Sequence, residues 1–267
     1  MSLKVCVLGS GSSGNCIYVA STQTRILVDA GLSLRETVRR LELIDNDLTE
    51  VDAICVTHEH EDHTASLGGL HRRAGMALYA NSGTIEGIRQ SGKLRDLPWN
   101  VFITGEPFRI EDLRIEPFTV PHDAYDPVGF LICSGSSRVG IVTDIGMATE
   151  LIRERLKGCQ TVIVESNHDE RLLKDATRPW SLKQRIASRQ GHFSNDQAGH
   201  LIADIAGPEL KVIFLAHLSV DCNRSDLAVE TVRKILENSG HHDVSLKLTY
   251  PNRVSDMVEV SDASKER

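Results

Sequence analysis

The sequence lacks any stretch of the roughly 20 consecutive apolar residues that a membrane-spanning helix requires. It also lacks the charged and apolar leader of a secretory signal peptide, because Met1 is followed at once by a strand-like segment at residues 3–8. These two absences predict a cytoplasmic protein that does not enter a membrane.

Cysteine pairs and excess positive charge are also missing. The six cysteines form no Cys-x-x-Cys pair, and most of them lie in apolar runs. This pattern excludes a zinc finger and predicts reduced thiols in the core of a cytosolic protein. The net charge is −7, which argues against broad nucleic-acid affinity unless the basic residues are clustered.

Length and composition are those of an ordinary globular chain. The sequence has 267 residues, of which 40% are hydrophobic and 25% are charged. It shows no internal repeat, low-complexity tract or interdomain linker. We therefore expect one domain over residues 1–254 and a polar C-terminal tail over residues 255–267.

The densest chemical feature is the run Thr57-His58-Glu59-His60-Glu61-Asp62-His63, which follows a short apolar segment with the character of a buried strand. His58 and His60 are two residues apart, so in extended chain they project to the same side. Imidazole and carboxylate are common ligands of divalent ions. The pattern favours one ion at His58 and His60 and another at Asp62 and His63, over the alternative of a solvated charged loop.

This cluster resembles the signature of the metallo-β-lactamase superfamily. Further motifs narrow the resemblance to its YycJ/WalJ-like branch and extend it over nearly the whole chain: SGSSGN at 10–15, VDAG at 28–31, HDA at 122–124, TDIG at 143–146, ESNHD at 165–169, the LKQRIAS-x-x-GHFSN run at 182–195 and LAHLS at 215–219. The resemblance implies an α/β fold, a four-layer αββα sandwich of two mixed sheets flanked by helices.

The resemblance also implies a complete ligand set for two divalent ions, with zinc and manganese both acceptable. One ion would be bound by His58, His60 and His122, and the other by Asp62, His63 and His217. Asp144 would bridge the two ions, and Asp29 would orient the metal-binding loop without touching metal.

Two further groups point to the substrate. Glu165 and His192 resemble a pair found in tRNA-processing members of the superfamily, in which the histidine protonates the leaving oxygen; the catalytic residues predicted are thus Asp62, His192 and Glu165.

Residues 171–189 show little regular pattern and hold six basic residues, one acid and Trp180. They suit a phosphate backbone, although a solvated face is an equal alternative. The predicted substrate contacts are Ser12, Asn15, His168, Arg178, Lys183 and Asn195.

A general acid and local positive charge favour phosphodiester hydrolysis over lactam hydrolysis. We therefore predict a phosphodiesterase in which metal-bound hydroxide attacks phosphorus. Branch resemblance implies a 5′-to-3′ DNA exonuclease linked to mismatch repair, with repair-protein partners unspecified. The alternatives are a small-molecule or cyclic-nucleotide phosphodiesterase and a non-catalytic nucleic-acid-binding protein.

Overall fold

The computed structural model describes residues 2–92 and 97–261, and within these ranges the strands form two seven-stranded sheets. The strands of the first sheet are β1 (Leu3–Gly9), β2 (Cys16–Ala20), β3 (Arg25–Val28), β4 (Ala53–Cys55), β5 (Ala77–Asn81), β6 (Trp99–Phe102) and β14 (Val258–Val260). Those of the second sheet are β7 (Phe108–Ile110), β8 (Leu113–Thr119), β9 (Val128–Ser134), β10 (Ser137–Val142), β11 (Thr161–Glu165), β12 (Val212–Ala216) and β13 (Ser245–Leu248).

Both sheets are mixed in the same way. The first runs in the order β14-β1-β2-β3-β4-β5-β6 and the second in the order β13-β12-β11-β10-β9-β8-β7. In the first sheet the strands from β14 to β3 pair antiparallel and those from β3 to β6 pair parallel. In the second, β7 to β10 pair antiparallel and β10 to β13 pair parallel. The predicted pair of mixed sheets is confirmed.

Apolar residues fill three layers of core. One cluster lies between the sheets and draws side chains from both, including Val5, Val28, Phe130 and Phe214. The outer face of each sheet is covered by helices over a cluster of its own. The helices are α1 (Leu34–Glu42), α2 (Glu61–Thr64), α3 (Leu67–Ala74), α4 (Ser82–Gln90), α5 (Glu150–Leu156), α6 (Glu170–Asp175), α7 (Trp180–Ile186), α8 (Asn195–Ile205) and α9 (Ser225–Asn238). The predicted αββα layering is confirmed.

Segment 171–189, predicted to have little regular structure, is instead mostly helical. It contains most of α6 and all of α7. Asp169 begins α6 as an N-cap, since its side chain accepts a hydrogen bond from the backbone N–H of Leu172 at 2.8 Å. The prediction failed because each helix has only one buried residue, Leu173 in α6 and Ile186 in α7, so the sequence carries no extended apolar periodicity.

The apolar spacing of the α1 sequence predicts that Arg35, Arg39 and Arg40 lie together on a solvated helix surface, but Arg40 is buried. Its guanidinium donates to the carbonyl oxygen of Leu8 at 2.8 Å and to that of Pro251 at 2.9 Å. The side chain therefore binds the end of β1 to the C-terminal segment, and α1 has one cation on its inner face.

The short apolar run at residues 101–103 predicts a strand, which the sequence order would place in the second sheet. The structure places β6 in the first sheet, where Ala80 of β5 faces Val101 in parallel register. A short apolar run does not reveal its sheet, because both sheets present apolar strands to a shared core.

The predicted polar tail begins too early at residue 255. Ser255 accepts a hydrogen bond from the backbone N–H of Val7 at 2.9 Å, and β14 pairs antiparallel with β1. The hydroxyl of Ser137 in the second sheet donates to the carbonyl of Val260 at 3.0 Å. The predicted C-terminal tail thus contains β14, a strand of the first sheet that ends at Val260. Residues 262–267 lie outside the described ranges.

Within the described ranges, no helix has the length and apolar character needed to cross a membrane.

Removing β14 tests this correction. A chain that stops after Val254 loses Ser255 and the two buried valines of β14, Val258 and Val260. We expect its free energy of unfolding to fall by about 3 kcal/mol or more, since full burial of each valine contributes about 1.5–3 kcal/mol. A chain that stops after Ser261 keeps β14 and is the matched control. Equal urea midpoints for the two truncations would contradict the structural role of the strand.

Candidate metal centre

Polar side chains collect where the parallel strands of both sheets end. Asp29 follows β3 and the histidine cluster follows β4, whereas Asp144, Glu165 and His217 follow or end β10, β11 and β12. Asp29, Asp144 and His217 have φ values of 65°, 55° and 56°, which are uncommon outside glycine. The backbone therefore turns sharply at three strand ends and directs these side chains to one edge of the sandwich.

The first predicted ligand set lies together. The Nε2 atom of His58 is 3.0 Å from Nδ1 of His60, and Nε2 of His122 is 3.4 Å from the same atom. Each residue offers a ligand nitrogen within 4.8 Å of the others. His122, from the loop after β8, thus joins two histidines that lie 62 and 64 residues earlier in the chain.

The second predicted set lies beside it. Oδ2 of Asp62 is 3.5 Å from Nε2 of His63 and 3.5 Å from Nε2 of His217. Asp144 lies between the sets: one of its oxygens is 3.1 Å from Nε2 of His63, and the other is 4.0 Å from Nε2 of His122. The carboxylate of Asp144 is therefore placed where a ligand shared by two ions would be.

Most of the predicted ligand histidines are held by a contact at the ring nitrogen Nδ1. Nδ1 of His63 is 2.7 Å from the Asp29 carboxylate, and Nδ1 of His217 is 2.8 Å from the Glu165 carboxylate. Nδ1 of His122 donates to the carbonyl of Gly191 at 3.1 Å. Such a bond sets the tautomer and leaves Nε2 free as a ligand. The predicted orienting role of Asp29 has this contact as its physical basis.

These residues fit a divalent cation. Oδ2 of Asp144 and Nε2 of His217 are buried and make no well-formed hydrogen bond in the protein, although Nε2 of His63 lies 3.1 Å from that oxygen and Oδ2 of Asp62 lies 3.5 Å from that nitrogen. A buried polar atom without a partner costs about 1–3 kcal/mol. Both atoms belong to the predicted ligand sets, so a bound cation would give each the partner that the protein does not supply.

The acids and histidines of the centre alter each other's pKa. Burial lowers the pKa of His63 and His217, but neighbouring carboxylates, Asp144 among them, outweigh it and raise both well above the usual range. Burial likewise raises the pKa of Asp144, but the two imidazoles hold it well below its ordinary value. In the metal-free chain the centre is therefore a set of ion pairs.

Glu165 links the centre to His192. One oxygen of its buried carboxylate is 2.8 Å from Nδ1 of His192 and 2.8 Å from Nδ1 of His217, and the other accepts the backbone N–H groups of Ile145 and Phe193. Burial lowers the pKa of His192, but the Glu165 carboxylate outweighs burial and raises it. His192 is thus a proton-bearing imidazole with its Nδ1 fixed.

Comparison with known proteins agrees with this geometry. Residues 24–217 match the model of the beta-lactamase superfamily domain. The chain is 36% identical to exodeoxyribonuclease YycJ of Bacillus anthracis over 90% of this chain and 91% of that protein. It is 35% identical to exodeoxyribonuclease WalJ of Streptococcus pneumoniae, over 86% of each. The chain belongs to the YycJ/WalJ branch of the metallo-β-lactamase superfamily.

The fold of a solved protein is also similar. The metallo-β-lactamase fold protein YhfI from Bacillus subtilis superimposes with a TM-score of 0.74 at 17% identity, covering 97% of this chain and 99% of that one. Membership of the branch, the fold and the ligand clusters make this chain a metal-dependent hydrolase, as predicted.

In this YycJ/WalJ-branch protein, a cavity of about 400 Å³ opens onto the centre. Two of the predicted substrate contacts, Ser12 and Arg178, line it. Sequence reasoning did not single out two other residues of its lining, Arg185 and Asp123, whose side chains form an ion pair at 2.5 Å. The only available signal for Arg185 was its place among the basic residues of segment 171–189.

Asn15 and Asn195 occupy other roles than substrate contact. The amide of Asn15 donates to Oδ2 of Asp62 at 3.1 Å and lies 3.0 Å from Nε2 of His63, so it positions the centre. Asn195 is fully buried and bonded to Ser166 and Asn223. Substrate cannot reach it, and its prediction as a contact is wrong.

His168 and Lys183 do not face the metal centre. Both line a second cavity, on the other side of α7. The Nζ of Lys183 donates to the carbonyl of Lys174 at 2.6 Å. Burial lowers the pKa of His168 to about 4, so its ring is neutral at pH 7. A neutral ring in this cavity supplies no positive charge at the metal centre, so the predicted contact of His168 with a substrate phosphate has no counterpart there.

Replacing Asp29 tests how the centre is held. Asp29→Asn keeps the shape and a residue type that accepts positive φ, but it removes the carboxylate that receives the Nδ1 proton of His63. We expect metal affinity to fall about 10- to 100-fold, measured by competition with a chromophoric chelator. Asp52→Asn is the control, because Asp52 accepts the backbone N–H of Arg25 away from the centre. Equal affinities in the two variants would refute the orienting role.

Metal binding should release protons. His63 and His217 have raised pKa values in the metal-free chain, whereas a metal ligand must be neutral imidazole. Protons therefore compete with metal at any pH below these raised pKa values, so affinity should rise with pH from about 6 to 8 and continue to rise above that range. Calorimetric titration at one pH in two buffers of different ionisation enthalpy measures the release. An identical binding enthalpy in both buffers would mean that these histidines carry no proton to lose.

Proposed function

We propose that this chain is a dinuclear-metal-dependent phosphodiesterase that degrades DNA from the 5′ end and serves in DNA mismatch repair. The observation that carries the proposal is the placement of His192, paired with Glu165, in one cavity with the ligand sets and two arginines. The names of the YycJ and WalJ relatives supply the substrate. Cytoplasmic location agrees with the six free cysteines among the described residues.

The proposed ligands are three residues for each ion, with Asp144 shared. His58, His60 and His122 would hold one ion, and Asp62, His63 and His217 the other. Two divalent ions, zinc or manganese, supply a water of lowered pKa and neutralise charge on the phosphoryl group.

His192 is placed to act as general acid. Its Nδ1 is engaged by Glu165, so Nε2 is the nitrogen free to give a proton to the leaving oxygen of the ester. The Glu165 carboxylate raises the pKa of His192 above its ordinary value despite burial, which favours the protonated ring that a general acid requires. A DNA linkage expels an alkoxide, which needs such a proton to leave, whereas a thioester expels a thiolate, which leaves readily without one.

Arg178 and Arg185 supply positive charge at the mouth of the same cavity. Arg178 lies 2.5 Å from the Asp221 carboxylate, and Arg185 lies 2.5 Å from that of Asp123. Partly exposed ion pairs of this kind contribute only about 0–1 kcal/mol. An incoming phosphate can therefore replace the aspartates and bind the guanidinium groups at little cost.

A small-molecule phosphodiesterase is the second candidate, favoured by the modest volume of the cavity, about 400 Å³, which is in the range of small-ligand sites. Turnover of cyclic nucleotides and bis(p-nitrophenyl) phosphate, compared with that of DNA, separates the two. Rapid cleavage of the small esters with inert DNA would favour the second candidate.

Loss of the ligands tests the proposal. His58→Ala and Asp144→Ala each remove a ligand of the centre, so we expect exonuclease activity to fall by about 100-fold or more. The measurement is the release of nucleotides from 5′-labelled single-stranded and duplex DNA with manganese or zinc. His71→Ala is the matched control, since this histidine contacts the carbonyl of Met76 and no residue of the centre. Digestion by both ligand variants at the wild-type rate would refute the proposal.

The acid role of His192 has its own signature. His192→Ala should slow DNA cleavage about 10²- to 10⁴-fold but should slow bis(p-nitrophenyl) phosphate much less, because p-nitrophenolate leaves without a proton. The ratio of the two kcat/KM losses is the readout. Equal losses on both substrates would assign His192 to binding or metal retention instead.

A further inference from the structure

Helix α7 separates two cavities. Leu182, Arg185 and Ile186 line the cavity at the metal centre. Trp180, Lys183 and Gln184 of the same helix line a second cavity of about 420 Å³. One helix thus contributes one side to the reaction site and another side to a separate site that the proposed chemistry leaves unused.

The second cavity combines a flat aromatic surface with positive charge. The Trp180 side chain is 69% exposed, far more than an indole that serves the core. Lys174 and Lys183 contribute two cations, and Glu170 is the one acid among the described residues of the lining. The oxygen Oε1 of Glu170 accepts the hydroxyl of Ser194 at 3.3 Å.

His168 lies in the wall of this cavity and is 2% exposed. Both of its backbone polar groups are hydrogen-bonded. Its N–H donates to the carbonyl of Phe193, and its carbonyl accepts the N–H of Asn195 at 2.8 Å. The ring atom Nδ1 has no partner in the protein. Buried polar atoms are nearly always hydrogen-bonded, so this nitrogen marks the place of a ligand group that forms a hydrogen bond.

We propose that the second cavity binds one nucleotide of the DNA strand, with its base stacked on Trp180, a base-edge group bonded to Nδ1 of His168, and its phosphate held by Lys174 and Lys183. The identity of this strand rests on the proposed function. Stacking on an aromatic residue beside cations is the general mode of single-strand binding, and it tolerates any base sequence.

The position of α7 sets the register of this contact. A helix with its side chains is about 10–12 Å across, and successive nucleotides advance about 3.4 Å along a stacked strand. A base in the second cavity is therefore about three nucleotides away from the linkage in the first. The second cavity would thus hold the substrate by a nucleotide that is not the one being released.

Binding of a fluorescein-labelled phosphorothioate decanucleotide to the metal-loaded protein tests the proposal, because phosphorothioate linkages resist cleavage. Trp180→Ala should weaken binding about tenfold or more, since loss of one stacked base typically has this effect. Trp180→Phe should restore most of the affinity. Leu43→Ala is the control, because Leu43 is also an exposed apolar residue and lines neither cavity. Equal affinity of Trp180→Ala and Leu43→Ala would overturn the proposal.

Two further readouts distinguish stacking from a structural role. The fluorescence of Trp180 should be quenched by the oligonucleotide in wild type. Lys174→Ala should reduce the slope of log Kd against log salt by about 0.7, the value for one phosphate contact on a single strand. An unchanged slope together with unquenched emission would overturn the assignment.

The outcome separates the inference from the proposed function. If the protein binds the oligonucleotide through Trp180 but cleaves no unmodified DNA, the second cavity stands and the exonuclease proposal fails. If it cleaves DNA while Trp180→Ala binds as wild type does, the exonuclease proposal stands and the second cavity fails.

Discussion

The structure depends on a buried carboxylate, that of Asp144, surrounded by imidazoles at the edge of two sheets. Asp144 is 2% exposed and lies within 3.1 Å of both His63 and His217. A buried charge is costly unless it is paired and hydrogen-bonded. The surrounding rings must therefore be held close and in one orientation, and the strand ends, the sharp turns at positive φ and the outer hydrogen bonds all serve that requirement.

Each of the two sheets contributes one carboxylate that holds a histidine beside Asp144. Asp29, at the end of β3 in the first sheet, fixes His63, while Glu165, at the end of β11 in the second, fixes His217. Glu165 differs in one respect, because the same oxygen also engages His192. One carboxylate thereby holds both a candidate metal ligand, His217, and the proposed proton donor, His192. A change at Glu165 should disturb both, whereas a change at Asp29 should disturb the ligands alone.

Much of this centre could be predicted from the sequence, because its ligands either lie within one short run or end strands that are recognisable as apolar segments. The errors concern properties that local sequence does not contain. His168 and Lys183 were predicted as substrate contacts, but local sequence does not show that they line a cavity apart from the metal centre, because packing decides which face of α7 each approaches. Asn195 begins α8 in a buried network with Asn223, and Arg40 points inward from a helix whose other arginines point out. β14 is three residues long, too short for a clear pattern.

The most direct test of the central claim is anomalous diffraction from crystals of the metal-loaded protein, collected at the absorption edge of zinc or manganese. The account predicts two peaks roughly 3.5–4 Å apart, one beside His58, His60 and His122 and the other beside Asp62, His63 and His217, with Asp144 in contact with both. A single peak, or two peaks of which Asp144 touches only one, would contradict it.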